Sequence, residues 1–312
     1  MTTARAAVDV GSNSVRLLVK DAAGARVTRE MQVTRLAEGV DRTGHLDDAA
    51  LERTVDTITR YRDIWVEHGV TDRVRIAATS AVRDASDRDR FFDAVRAATG
   101  VDAEVLSGEQ EAALSFAGAT GAVEVAGPAA VVDIGGGSTE LIVGTTAGAV
   151  GGSVSLQLGC VRLTERLLHQ DPVSAAQLVE ARELVARQLA FADQTLAKQG
   201  VAVRAAASMI AVAGTATTLG ALHLGLDDYV EEAIHGARIP AAAVAQLAAD
   251  LTAMSVQARG ALGPMQPGRA EVIHGGALVL AGIVAHYELD EVVVSESDSL
   301  DGLVDSLAPA GV

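Results

Sequence analysis

Two short stretches hold the residues best suited to chemistry. They are Asp9-Val-Gly-Ser-Asn-Ser14 and Asp133-Ile-Gly-Gly-Gly-Ser138. Each sets a carboxylate at the end of an apolar run. Glycine and small hydroxyl or amide side chains follow, and then a second apolar run. Glycine lets the backbone approach a ligand closely and take up positive φ. Successive backbone N–H groups in such a turn form a concave anion site. A carboxylate repels phosphate, so the Asp makes chemical sense with a divalent cation between the two, usually through water. Asn13, Ser14, Ser138 and Thr139 add side-chain donors or acceptors. The chemistry this predicts is phosphate binding beside a metal.

The turn is a repeat. VDVGSNSVRLLVKDAAG (8–24) aligns without a gap on VDIGGGSTELIVGTTAG (132–148). Asp9 falls on Asp133, Gly11 on Gly135, Ser14 on Ser138 and Leu17 on Leu141, an offset of 133 − 9 = 124 positions. Asn and Gly also suit ordinary hairpin turns, but two gapless copies ask for a shared purpose. Two similar loops facing one cleft would hold a chain of phosphates from opposite sides.

Elements that could position these loops alternate along the chain. Ala4–Val10 with Val15–Lys20, and Ala130–Ile134 with Glu140–Gly144, read as hairpins, the second extended by Gly148–Leu156. Leu46–Gly69 has apolar residues at helical spacing, with Trp65 on the core face. Arg73–Ala78 and Ala103–Leu106 read as strands. Ser86–Gly100 reads as a helix capped by Ser86. Ser107-Gly-Glu-Gln110 and Ser174 with Gln177 match capping boxes that open helices, the first running through Ala117 and the second to near Gly200. Met209–Ala213 and Glu291–Val294 read as strands. Gly214–Leu224, Pro240–Ala258, Arg269–Tyr287 and Ser299–Leu307 read as helices, with Pro240 at a first helical position. The fold class this predicts is α/β with two duplicated domains: 1–120, completed by the terminal helix 299–312, and 121–298, with the boundary in the Gly/Ala stretch Gly118–Gly127.

Composition excludes several functions. The chain has 312 residues, 49% of them apolar, enough for two cores. Apolar runs are too short and broken for a bilayer span, so no membrane partner is expected. No signal pattern opens the sequence. Cys160 is the only cysteine, which rules out an internal disulfide and makes a reducing cytoplasm the expected compartment. The net charge of −16 argues against sequence-independent nucleic-acid binding. Neither lysine, Lys20 or Lys198, completes the glycine-lysine pair of a Walker loop. No HExxH or paired CxxC occurs, so a protein-only zinc site is not expected. The seven histidines show no ligand spacing. Cys160 reads as a packed small residue.

Read from residues alone, Glu111 is either a first-turn helix carboxylate favoured by the dipole or a base. Glu140 is either an exposed strand residue or a ligand. Arg83 is either a salt-bridge partner or a phosphate contact, to which its fork is suited. Gly214-Thr-Ala-Thr217 is either a cap or an anion-binding helix start.

Longer motifs now bear on these choices: VDVGSNSVRLLV, ATSAVRDAS, LSGEQEAALSFAGA, VVDIGGGSTELIVG, LGCVRLTE, AGTATTLGAL and GRAEVIHGGALVL, in this order. The paired turns resemble the phosphate loops of the actin, sugar-kinase and chaperone-ATPase superfamily, with ribonuclease H-like domains facing a central cleft. The whole set resembles the exopolyphosphatase/guanosine pentaphosphate phosphohydrolase (Ppx/GppA) family along almost the whole chain. The resemblance implies release of terminal orthophosphate from inorganic polyphosphate, with Glu111 rather than Glu109 as the catalytic base. It implies Asp133 and Glu140 as metal ligands, with Asp9 added by repeat symmetry. It implies Asn13, Ser14, Arg83, Gly135, Gly136, Gly137, Ser138, Thr139 and Arg269 as substrate-binding residues, with Arg162 a further arginine. Mg²⁺, or Mn²⁺ in its place, is the expected metal, K⁺ an additional cation, and a homodimer the expected assembly.

The family acts on polyphosphate, guanosine pentaphosphate, or both. Because the sequence ends after the two core domains, short polyphosphates are the expected substrates. Guanosine pentaphosphate is the alternative, although no guanine-recognising surface is evident. A non-catalytic polyphosphate or alarmone sensor would not need Glu111, Asp133 and Glu140. A kinase or ATPase would need an acceptor-site Asp that does not stand out. One departure is visible. Many members carry Arg-Glu-Gly in the terminal helix, where this chain has Leu300-Asp301-Gly302, and the expectation is one positive charge fewer near the cleft.

Overall fold

The computed structural model describes residues 4–125, 127–144 and 149–308. It divides into two units, one built from the residues up to Leu114 together with those from Ser299 on, the other from Ser115–Asp298. The tail of the second turn copy and the start of the predicted Gly148–Leu156 strand, residues 145–148, lie outside the described residues, as do residue 126 and the last four of the predicted 299–312 helix.

The first unit contains β1 (Arg5–Val10), β2 (Ser14–Lys20), β3 (Arg26–Val33), α1 (Val40–Thr43), α2 (Asp48–Glu67), β4 (Val74–Ala78), α3 (Ser80–Asp84), α4 (Asp89–Thr99), β5 (Ala103–Val105) and the first turns of α5 (Gly108–Ala122). Its sheet runs β3-β2-β1-β4-β5. β1 is antiparallel to β2 and parallel to β4. Side chains alternate across a strand. Ala6, Val8 and Val10 therefore enter the core under α2 and α4, with Ile58, Trp65, Phe91 and Val95. Ala7 enters the opposite core with Leu18, Ala77, Leu106, Leu300, Leu303 and Val304. A strand covered on both faces has no solvent-facing side, which is why Ala6, Ala7 and Val8 run unbroken between Arg5 and Asp9.

The second unit contains β6 (Ala129–Ile134), β7 (Thr139–Gly144), β8 (Val150–Leu156), α6 (Cys160–Leu167), α7 (Ala175–Lys198), β9 (Ser208–Val212), α8 (Ala213–His223), α9 (Glu231–Ile234), β10 (Arg238–Pro240), α10 (Ala241–Ala253), α11 (Val256–Gly260), α12 (Ile273–Tyr287) and β11 (Glu291–Val294). The closing helix α13 (Ser299–Asp305) returns to the first unit. The second sheet runs β10-β11-β9-β6-β7-β8. Setting β6 on β1, β7 on β2, β8 on β3, β9 on β4 and β11 on β5 gives the same order and the same parallel and antiparallel pairings. Even an irregularity repeats. The register shifts between Val19 and Lys20 in one sheet and between Val143 and Gly144 in the other, at equivalent positions of the repeat. The duplication is thus one of backbone, and it has the strand order of a ribonuclease H-like fold.

Several elements differ from the sequence reading. β3 and α3 were not anticipated. Ser86 does not cap α4, because its hydroxyl donates to the Gly44 carbonyl at 2.8 Å and the helix starts at Asp89. Helix α5 continues to Ala122, so the unit boundary falls inside it, between Leu114 and Ser115, not in a linker. The predicted Pro240–Ala258 helix is two helices. Pro240 lies outside the first, and Ser255 starts the second by accepting from Ala258 N. Arg269 precedes α12. Both capping boxes form, with Ser107 and Gln110 bonded reciprocally at 2.9 and 3.2 Å, and Ser174 with Gln177 likewise. Among the described residues, no helix is long and apolar enough to cross a membrane.

Candidate active site

The two turns adopt the same conformation. Gly11 N–H donates to Ser14 O at 3.0 Å, and Gly135 N–H donates to Ser138 O at 3.0 Å. Each loop is also held from behind by its carbonyls. In the first, Ser12 O accepts from Ala37 N, and Asn13 O from Thr34 N and Arg35 N, at 2.9–3.0 Å. In the second, Gly135 O accepts from Cys160 N, and Gly136 O from Val161 N and Arg162 N, at 2.9–3.1 Å. A trans peptide points its C=O and its N–H in opposite directions. Anchoring these carbonyls therefore turns the N–H groups of Asn13, Ser14, Gly136 and Gly137 away from the anchor, which leaves each loop a row of donors for an anion. The start of α6 is consumed by this anchoring. LGCVRLTE is a loop support, a role the sequence reading missed.

Around the loops, Asn13 is buried and its Oδ1 finds no partner among the described residues. A ligand or water there would satisfy it. Ser138 is buried beside Thr139, whose hydroxyl donates to the Leu158 carbonyl and so offers a ligand only lone pairs.

The flanking charges differ between the copies. In the first, Asp9 and Arg16 are cross-strand partners, and the guanidinium grips Asp9 Oδ2 through Nε at 3.1 Å and Nη2 at 2.5 Å. In the second, the equivalent partners are Asp133 and Glu140, two carboxylates. Directly opposite residues share a face of the sheet. Both are buried, Glu140 only 1% exposed. Asp133 Oδ2 accepts from the Ser115 hydroxyl, and Glu140 Oε1 from the Ser155 hydroxyl at 2.7 Å. Two carboxylates on one face of the sheet are a donor set suited to a divalent cation. Among the described residues no group of three His, Cys, Asp or Glu could hold a metal. A pair of carboxylates with hydroxyls nearby still fits Mg²⁺, which takes one or two carboxylates and completes its shell with water and substrate oxygens.

Glu111 lies in the first turn of α5 and is buried, 8% exposed, whereas Glu109 is exposed. Arg83, at the end of α3, donates to Leu106 O at 2.9 Å and reaches Glu111 Oε2 at 3.4 Å. The structure thus joins two residues that the sequence offered separately, and Glu111 is not a solvated helix carboxylate.

In the second unit, Arg269 lies flat against the start of α8. A Cβ on Gly214 would stand 1.9 Å from its Nη1, so a side chain there would displace the guanidinium. Arg162 is buried and donates to Gln157 Oε1. Cys160 is a packed thiol, and burial pushes its pKa up. Leu300 is fully buried among apolar residues, and Asp301 pairs with Arg29 at 2.9 Å. The position where an arginine was expected to be missing is thus a core position.

His274, from the GRAEVIHGG motif, is also buried. Desolvation, with help from the Arg259 charge and against the pull of Asp171, lowers its pKa to about 4. Arg259 itself is fixed by the Ala270, Leu251 and Met254 carbonyls and by Asp171. Between the unfolded pKa of about 6.5 and the folded value, the unfolded chain binds more protons. Stability is therefore full above this window and falls as the pH falls through it. Lowering the pH from 7 to 5 is expected to cost about 2 kcal/mol through this residue. Urea unfolding of wild type and His274→Gln at both pH values checks it, and equal pH losses in the two would contradict it.

Two ribonuclease H-like units, each with a carbonyl-anchored glycine turn, together with a carboxylate pair and a buried glutamate paired to an arginine, define an α/β protein with the features of a phosphoryl-handling enzyme. The Ppx/GppA phosphatase family profile matches residues 18–310. Exopolyphosphatase 2 of Mycobacterium tuberculosis is 43% identical over 97% of this chain and 98% of its own length. Among solved structures, an exopolyphosphatase-like protein superposes with a TM-score of 0.91 at 35% identity, covering 97% of this chain and 98% of its own. An exopolyphosphatase from Cytophaga hutchinsonii gives 0.88 at 25% identity, with 98% of each chain covered. The chain belongs to the Ppx/GppA phosphatase family.

Proposed function

We propose that this protein is an exopolyphosphatase, a hydrolase that releases orthophosphate from the end of inorganic polyphosphate. The observation that carries the reading is the duplicated loop, pinned by its carbonyls so that its amides are set for phosphate in both copies. The name of the M. tuberculosis relative supports the substrate.

In this reading the loop amides, Asn13 and Ser14 in one copy and Gly136, Gly137 and Ser138 in the other, bind phosphate oxygens, while Gly135, whose N–H closes the turn on Ser138 O, shapes the loop around them. Thr139 lines the second loop. Arg83 and Arg269 neutralise substrate charge. Glu111 accepts a proton from the attacking water and fixes its direction. Asp133 and Glu140 hold Mg²⁺ or Mn²⁺, which when bound neutralises phosphate charge. Asp9, the candidate offered by repeat symmetry, is already gripped by Arg16 and is not needed to hold the metal. K⁺ as an additional cation, a homodimer and a cytoplasmic location belong to the same proposal.

The strongly acidic chain repels a polyanion at long range, so binding depends on these local donors and cations. Initial rates on short polyphosphate, long polyphosphate and guanosine pentaphosphate, with and without Mg²⁺, test the proposal. Orthophosphate release from polyphosphate, abolished by excess chelator, is expected. Release from guanosine pentaphosphate alone would replace the substrate assignment, and full activity in chelator would remove the metal.

A further inference from the structure

Arg16 and Glu140 occupy equivalent positions of the repeat, each directly across the hairpin from the loop aspartate. The two hairpins share register, turn hydrogen bond and bulge. A cation held on Asp133 and Glu140 would therefore correspond to the place where the Arg16 guanidinium lies against Asp9. The residue facing the loop aspartate is a guanidinium in one copy and a second carboxylate in the other. Arg16 is also tied to the Ser299 hydroxyl at 3.2 Å and is largely buried, so its guanidinium is fixed and not a passing surface contact.

We propose that Arg16 is a built-in counter-cation, so that the chain binds one divalent ion, at Asp133 and Glu140, and none at Asp9. This rests on the metal assignment made above. Arg16 is then a positioning residue. It cancels the Asp9 charge beside the first loop, so a phosphate can approach the amides of Asn13 and Ser14 without a metal. Removing it leaves a buried carboxylate facing the phosphate, which weakens substrate binding more than it slows turnover.

Mn²⁺ titration of the full chain followed by electron paramagnetic resonance, without substrate, tests this. Wild type should bind one Mn²⁺. Glu140→Gln should lose it, and Asp9→Asn should keep it with unchanged affinity. Arg16→Glu rebuilds a carboxylate pair and should bind two. Should that variant not fold, Asp9→Asn/Arg16→Gln, which removes both charges together, should still bind one. In parallel, Arg16→Gln should raise KM for a short polyphosphate by about tenfold or more with a smaller change in kcat, and the double variant should restore KM. Two ions in wild type, or loss of the ion in Asp9→Asn, would overturn the proposal. No Mn²⁺ binding in any variant would overturn it together with the metal assignment. The predicted stoichiometries with no polyphosphate hydrolysis would leave it standing while the function fails.

Discussion

Glu111→Gln should lower kcat for orthophosphate release by about 10³-fold, within the 10²–10⁴ range of a general base, with little change in KM. The substitution keeps size and shape. The Gln carbonyl oxygen can still accept from Arg83, which also stays bound to Leu106 O, so the local structure survives. What is lost is the ability to take a proton. Glu109, two residues earlier and exposed, provides the control. Glu109→Gln should leave kcat within about twofold, since exposed substitutions away from special features change little. Steady-state kinetics on both variants, with thermal unfolding to show that both are folded, decide the matter. Equal losses in the two, or none in either, would remove Glu111 from the reaction.

Gly159→Ala should cost about 10²-fold in kcat/KM, the loss that a shift of about 1 Å in a positioning group brings. The backbone at Gly159 is extended, φ −144° and ψ 170°, and accepts any residue. The obstacle is the second glycine loop. A Cβ there would stand 2.3 Å from Gly136 O and 2.7 Å from Gly137 N. Those backbone atoms must move, and the loop amides proposed to hold phosphate move with them. Gly121, on α5 with open space around its Cβ, is the control. Gly121→Ala should leave kinetics unchanged and add a little helix stability. If Gly159→Ala lowers the melting temperature yet keeps wild-type kinetics, the support role of α6 is wrong.

Much of this was legible in the sequence because the informative features are local. The hairpins, the capping boxes and the placement of Trp65 follow from neighbours within a few residues. The gapless repeat carried the duplication of the sheet. β3 was missed because its burial is uneven and few of its residues are apolar. The break at Met254 was missed because Ser255 caps a helix in the middle of an apolar pattern. The Gly/Ala stretch reads as a boundary because composition cannot show that one helix serves both units. At the site, Glu111 and Arg83 were separate candidates, 28 positions apart, until folding brought them together. Gly159 could not be found from sequence, since its importance lies in what a side chain would strike. Arg16 could have been found. The alignment that set Asp9 on Asp133 also sets Arg16 on Glu140, and that exchange of sign is the informative difference between the copies.

The central claim is that water attacks the terminal phosphorus of polyphosphate. The most direct measurement digests a short polyphosphate of defined length in ¹⁸O-labelled water with Mg²⁺, and follows both the label and the chain lengths. The account predicts orthophosphate carrying one solvent oxygen per molecule released, with chains shortening from the end. Mid-chain fragments formed at early times without matching orthophosphate, orthophosphate without label, or no release at all would contradict it.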